Sequence, residues 1–279
     1  MSVDKKRSRL AFEKLNRQLN RLAKNPGAAN VHKFRTYGRR VEAQLDALVP
    51  HPNRNDLKLL KLLERLRKKA GRVRDLDVQI TALRHLKIAQ NADGKSELIR
   101  ALAEERVDRE RKLARAFDKK ALRELRRRLK RAAEDEIPLA ANPLAIARRQ
   151  LAALSQDHSP LTEKTLHRYR VVGKRARYLA ELAADDPDAQ RTIETLKRMQ
   201  DVLGNWHDWL KLTETAEAMY GTASDLPLVA ALRNITREKF RAAVEILGET
   251  RVALSSRKPA ASSARVPATA SATTQAAAA

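Results

Sequence analysis

Leucine and alanine recur three and four residues apart along nearly the whole chain to about residue 250, with Lys, Arg and Glu between them. That spacing lines apolar side chains along one face of a 3.6-residue helix, and no segment alternates as a half-buried strand does. The pattern predicts helices near 5–24, 31–48, 55–70, 75–90, 95–117 and 119–135. A second series follows near 144–155, 161–184, 188–203, 206–220 and 227–248. Asn25-Pro26, Asn142-Pro143, Ser159-Pro160 and Asp186-Pro187 read as breaks, the last three as N-caps followed by proline at the first helical position. Gly71, Gly94, Gly204 and Gly221 fit helix ends or connections. From about Ser255 the chain becomes SSRKPAASSARVPATASATTQAAAA, with too little apolar surface to offset the entropy of ordering. The expected organisation is therefore one all-α domain over 1–254 and a disordered tail over 255–279.

The pattern also repeats. VHKFRTYGRR (31–40) matches LHRYRVVGKR (166–175): His32 meets His167, Phe34 meets Tyr169 and Arg35 meets Arg170. Gly38 likewise meets Gly173, Arg39 meets Lys174 and Arg40 meets Arg175. Downstream, AGRVRDLD (70–77) matches LGNWHDWL (203–210), so that Gly71 meets Gly204, Arg74 meets His207 and Asp75 meets Asp208. The offset is nearly the same in both matches. The repeated unit is therefore a multi-helix module, with halves near 5–135 and 143–250, and two related bundles about a pseudo-two-fold axis are expected.

Charge changes the picture next. The 279 residues hold 58 Lys and Arg against 34 Asp and Glu, a formal charge of +24, which calls for a polyanionic partner. Aromatic residues are only 4% of the chain, so stacking on bases has little to work with. Cysteine is absent, which excludes disulfides and thiolate metal sites and suits a reducing cytoplasm. The start, MSVDKKRSRL, has no apolar signal-peptide core, and no run approaches the roughly 20 apolar residues of a membrane span. A cytoplasmic protein with no membrane role is expected, and the oligomeric state is left open.

On a helical wheel His32, Arg35, Arg39 and Arg40 share one face, while Phe34, Tyr37, Val41, Leu45 and Leu48 share the opposite one. The cationic stripe is roughly 12 Å long. In the second copy His167, Arg170, Lys174 and Arg175 form the stripe and Arg177 flanks it. Guanidinium forks bind phosphate oxygens bidentately, an ammonium adds a point charge, and an imidazole beside an anion is kept protonated as a donor. Solubility needs charge but not a repeated register of one sign. Asp75 and Asp208 suit orienting neighbouring cations, and Arg74 and His207 could face the same basic surface. No P-loop, carboxylate cluster or nucleophile–base pairing is visible, and no metal, cofactor or catalytic residue is expected. His207 and Asp208 alone do not make a metal site, since adjacent residues diverge on a helix.

Together these four motifs resemble the CHAD family, the conserved histidine α-helical domain, over about residues 5–250. The resemblance implies two related helical bundles about a basic central cavity, binding of inorganic polyphosphate, and association with polyphosphate granules. It places basic positions at His32, Arg35, Arg39, Arg40, Arg74, His167, Arg170, Lys174, Arg175, Arg177 and Lys197, and His207 joins them as the counterpart of Arg74. Some relatives are joined to a CYTH triphosphatase domain with an alternating Glu-x-Glu-x-Lys strand. Here the nearest string, Glu134-x-Glu136, runs into Ile137-Pro138. A non-catalytic polyphosphate binder is therefore expected; the alternatives are a nucleic-acid-binding helical protein or the accessory subunit of a polyphosphate- or triphosphate-metabolising enzyme.

Overall fold

The computed structural model describes residues 5–88, 92–134, 142–156 and 160–255. Among them the periodic segments form α1 Lys5–Lys24, α2 Ala28–Leu48, α3 Arg54–His85, α4 Ala92–Ala116 and α5 Lys119–Glu134. The second half supplies α6 Pro143–Ser155, α7 Glu163–Ala180 with a 3-10 turn at Glu181–Ala183, α8 Pro187–Tyr220 and α9 Pro227–Ser255. The described residues contain no strand.

Several boundaries follow from local chemistry. Asn53 caps α3 in a capping box with Asp56, satisfying amides that the first turn leaves open. Asn142 and Asp186 cap α6 and α8, each followed by proline. Ser159 lies outside the described residues, and the cap of α7 is Thr162 rather than the predicted Ser-Pro step. Gly221, with φ of 93°, closes α8 in a conformation that suits glycine.

The structure corrects the sequence reading at Gly71 and Gly204. Both lie inside single long helices, so α3 and α8 each replace two predicted helices. A mid-helix glycine costs about 1 kcal/mol relative to alanine. The apolar stripe runs straight across it: Leu59, Leu63, Leu66, Ala70 and Val73 in α3, and Leu196, Met199, Leu203 and Trp206 in α8, are all buried. Each large side chain so buried contributes about 1.5–3 kcal/mol, and the stripe outweighs the glycine. Asp75 and Asp208 accordingly sit within helices rather than near helix starts. Gly94 falls in the first turn of α4 rather than in a connection. α9 runs to Ser255, and the remainder of the predicted tail, 256–279, lies outside the described residues.

Each half packs its own core. One cluster joins α1, α2, α3 and α5, with Phe34 edge-on to Phe117 at 5.2 Å. The other joins α6 to α9 around Tyr169, Leu196 and Trp206, with Leu48 from the end of α2. A third cluster binds the far ends of α3 and α4 to those of α8 and α9, through Leu83, Leu102, Leu212 and Leu232. Trp206 is buried and Trp209 packs against this third cluster, so both tryptophans serve packing. Repeat-related helices also touch each other, α2 against α7 and α3 against α8. That self-pairing is what a pseudo-two-fold relation produces. It brings the two matched motifs face to face.

Candidate functional site

The seam between α2 and α7 opens into a cavity of about 250 Å³. Arg39 from α2, Arg67 from α3, and Arg170, Lys174 and Arg175 from α7 line it, with Glu42, Asp46 and Tyr178. The helical period that keeps Phe34, Val41 and Leu45 in one core, and Tyr169, Ala176 and Leu179 in the other, turns these cations toward each other.

Repeat equivalence extends to contacts. Arg35 Nη1 donates to Asp75 Oδ1 at 3.1 Å and to the Gly71 carbonyl at 3.3 Å. Its counterpart Arg170 places Nη2 3.9 Å from Asp208 Oδ1. An arginine facing an aspartate one helix away is therefore present twice, tighter in the first half. Gly173 allows a close approach of α7 and α8: a Cβ there would run into the Met199 methyl, and the Gly173 carbonyl accepts from Gln200 Nε2 at 2.9 Å. Gly38, its counterpart, has open space around it.

The crowding of like charge is visible in protonation. Burial and the nearby Arg35 push the Arg39 guanidinium down to about 10. Burial, Arg170 and Arg39 push the Lys174 ammonium down to about 7. His32 is lowered by burial and by Arg74, Arg35 and Lys174, which stand close enough to act on it. His167 and His207 stand with ring centroids 5.3 Å apart. Burial, Arg170 and His167 push His207 down to about 3, and His167 is also lowered by burial and Arg170. Burial and cationic neighbours thus favour the neutral imidazoles, with one ring N–H to donate; a nearby anion favours the protonated form, which donates from both nitrogens. The Nε atoms of Arg170 and Arg175 are buried without a hydrogen-bond partner among the described residues.

Four of the twelve positions, Arg39, Arg170, Lys174 and Arg175, line the cavity, and three others stand apart from the cation cluster. Arg40 Nε donates to Glu181 Oε2 at 2.9 Å, and Arg177 Nε lies 3.7 Å from Oε1 of the same carboxylate. Both guanidinium groups lie over the Tyr178 ring, at 5.5 and 5.4 Å from its centroid. They fasten α2 to the end of α7. Lys197 is exposed on α8, and no described interaction joins it to the cluster. Arg175 belongs to the cavity, with Nη2 3.7 Å from Asp46 across the seam.

The sequence reading missed Arg67, which donates to Glu42 Oε1 at 2.9 Å. It stands seven residues before Arg74, on the same face of an unbroken helix. Placing a helix end at Gly71 hid that register. Among the described residues no group of three or more His, Asp or Glu is arranged to hold a metal ion. No helix there is long and apolar enough to cross a membrane.

No curated protein matches the sequence. The fold is similar to the crystal structure of the CHAD domain from the plant Ricinus communis, with a TM-score of 0.67 and 18% identity, covering 89% of each chain. It is also similar to PptA from Streptomyces chartreusis, with a TM-score of 0.65 and 13% identity over 90% of this chain and 96% of that one. The family model for the CHAD domain matches residues 8–217, from α1 through most of α8. With that match over most of its length and the paired histidine-bearing helices described above, the chain belongs to the CHAD domain family.

Proposed function

We propose that this protein binds inorganic polyphosphate without acting on it, holding the polymer at the α2–α7 seam and so targeting or organising cytoplasmic polyphosphate granules. The observation that carries the reading is the meeting of two repeat-related cationic stripes at one cavity, where burial and then repulsion depress Arg39 and Lys174. A fold-stabilising role would pair such charges with carboxylates. Here every carboxylate near the seam is already engaged, Glu42 by Arg67, Asp46 by Arg175, Asp75 by Arg35 and Asp208 by Arg170, and the cations still outnumber them. A linear phosphate anion relieves the repulsion and gives acceptors to the Nε donors of Arg170 and Arg175.

Binding then proceeds by long-range attraction, fork-like hydrogen bonding from the arginines, and proton uptake. As phosphates enter, the depressed Lys174 and the three histidines regain their protons, adding charge where it is wanted. Release of counterions makes affinity salt-dependent, by extension from nucleic acids.

A calorimetric titration with size-defined polyphosphate across a salt series tests this. Affinity should fall about 10³-fold between 50 and 200 mM salt, as for six or more phosphate contacts. Arg39→Glu together with Arg175→Glu should abolish binding with helicity retained; unchanged affinity contradicts the seam. DNA outcompeting polyphosphate at equal phosphate concentration would transfer the site to nucleic acid.

A further inference from the structure

Charge is divided unequally between the halves. Residues 5–134 hold 38 Lys and Arg against 16 Asp and Glu, whereas residues 142–255 hold 17 against 15. Much of the excess is ordered. On α3, Arg54, Lys58, Lys61, Arg65, Lys68 and Arg72 follow each other at three- and four-residue steps, and all six are exposed. At about 100° per residue they fall within an arc of roughly 80°, and the rise of 1.5 Å per residue makes the row about 27 Å long. The row flanks a groove of about 600 Å³ shared with α5, to which α5 contributes Arg128 and Glu124. Two acids border the row: Glu64, paired with Lys68 at 2.7 Å, and Asp75, which accepts from Arg35 at 3.1 Å. Glu124 is already held by Arg127 and Arg128.

The repeat supplies an internal control. The equivalent face of α8 reads Pro187, Arg191, Glu194, Arg198, Asp201 and Asn205. That mixed face serves the same fold, so the single-sign row on α3 is not a folding requirement. Like charges at these steps each cost a few tenths of a kcal/mol when unpaired. No aromatic residue stands in the row, so it offers nothing for stacking on bases and suits a bare phosphate chain.

We infer that the exposed face of α3 is a second lane for the same phosphate polymer, an extension that rests on the polyphosphate reading of the seam. Arg67 and Arg74 face the seam roughly 140° around α3 from the row. Lane and seam are thus separated by about one helix diameter, ~10–12 Å. A polymer that fills only the seam does not reach the lane. A longer one occupies both, and the second contact becomes intramolecular. Of the two repeat-related faces only that of α3 offers such a lane, so long chains run off one side of the molecule.

The test uses the full chain, titrated with a polyphosphate short enough to fill only the seam and with a much longer one. Wild type should bind the long polymer about 10²-fold more tightly per chain, at the low end of gains for linked sites. Lys58→Glu, Lys61→Glu, Arg65→Glu and Arg72→Glu combined should keep short-chain affinity within about twofold and lose most of that gain. A control with the same charge change, Lys164→Glu, Arg191→Glu, Arg198→Glu and Arg241→Glu, should keep the gain. If the lane variant keeps it, or the control loses it equally, the lane is wrong while the seam stands. A lane variant that loses duplex DNA binding but not the polyphosphate gain assigns the row to nucleic acid and overturns the inference. Wild type failing to bind the short polymer overturns the seam reading itself, and the extension with it.

Discussion

Arg39 in α2 and Lys174 in α7 occupy the same place in the repeat, and both line the seam cavity. Behind them, the outer face of α3 carries six cations where the equivalent face of α8 alternates charge. Agreement at the seam and divergence outside it separate two demands. Folding constrains the apolar stripes, which both halves keep. The seam keeps its cations in both halves despite their mutual repulsion, a cost that packing does not explain. The outer faces, free of both demands, have gone separate ways.

The largest expected effect tests whether the seam is shared. Arg39→Glu and Lys174→Glu should each lower polyphosphate affinity about 10²- to 10³-fold, the loss of one or two charge-assisted bonds plus new repulsion. Arg39→Glu also relieves repulsion with Arg35, Arg67 and Arg170, so the fold should persist by circular dichroism. A loss confined to one of the two variants would show that one half binds alone.

Next in size is the contrast between cations that clamp a ligand and cations that fasten the fold. Glu181→Ala leaves Arg40 and Arg177 without their shared carboxylate. It should cost about 1–3 kcal/mol of stability, read from the denaturant midpoint, with polyphosphate affinity changed less than about twofold. A large affinity loss at unchanged stability would move Arg40 and Arg177 into the binding site.

These two groups were not separable in the sequence. Arg35, Arg39, Arg40, Arg170, Lys174 and Arg175 share wheel positions that fit one stripe, and periodicity carries no more than that. Glu181, which captures Arg40 across the halves, lies 141 residues away, beyond any local pattern. The helices and the repeat were legible because 3.6-residue spacing and matched registers are properties of short windows. The continuity of α3 and α8 was not, because glycine propensity is a local penalty and the cores that outweigh it are tertiary. Arg67 was lost with that continuity. The depressed histidines were invisible for the same reason: His167 meets His207 only after α7 packs on α8.

Smaller is the pH response. Lys174 is held at about 7 and the three histidines below their ordinary value. Bound phosphate raises all four, so binding takes up protons and affinity should strengthen several-fold as pH falls from 8 to 6. Titrations in two buffers of different ionisation enthalpy report the uptake, which Lys174→Met should reduce. Proton release on binding would reverse the assignment.

Smallest is an effect on the free protein. The unfolded chain protonates Lys174 more readily than the folded one between about 7 and 10.5, so folding gains stability as pH rises through that window. Below it the penalty is fully present. Lys174→Met should therefore raise Tm at pH 7, by about 2–4 °C for each kcal/mol regained, while weakening polyphosphate binding. A lower Tm would mean that the ammonium has a stabilising partner.

The number of short polyphosphate chains bound per protein, taken from one calorimetric titration of wild type beside Arg39→Glu and Lys174→Glu, tests convergence of the two stripes most directly. A shared seam predicts one tight site in wild type and its disappearance in each variant. Two sites in wild type, with one surviving in each variant, would contradict it.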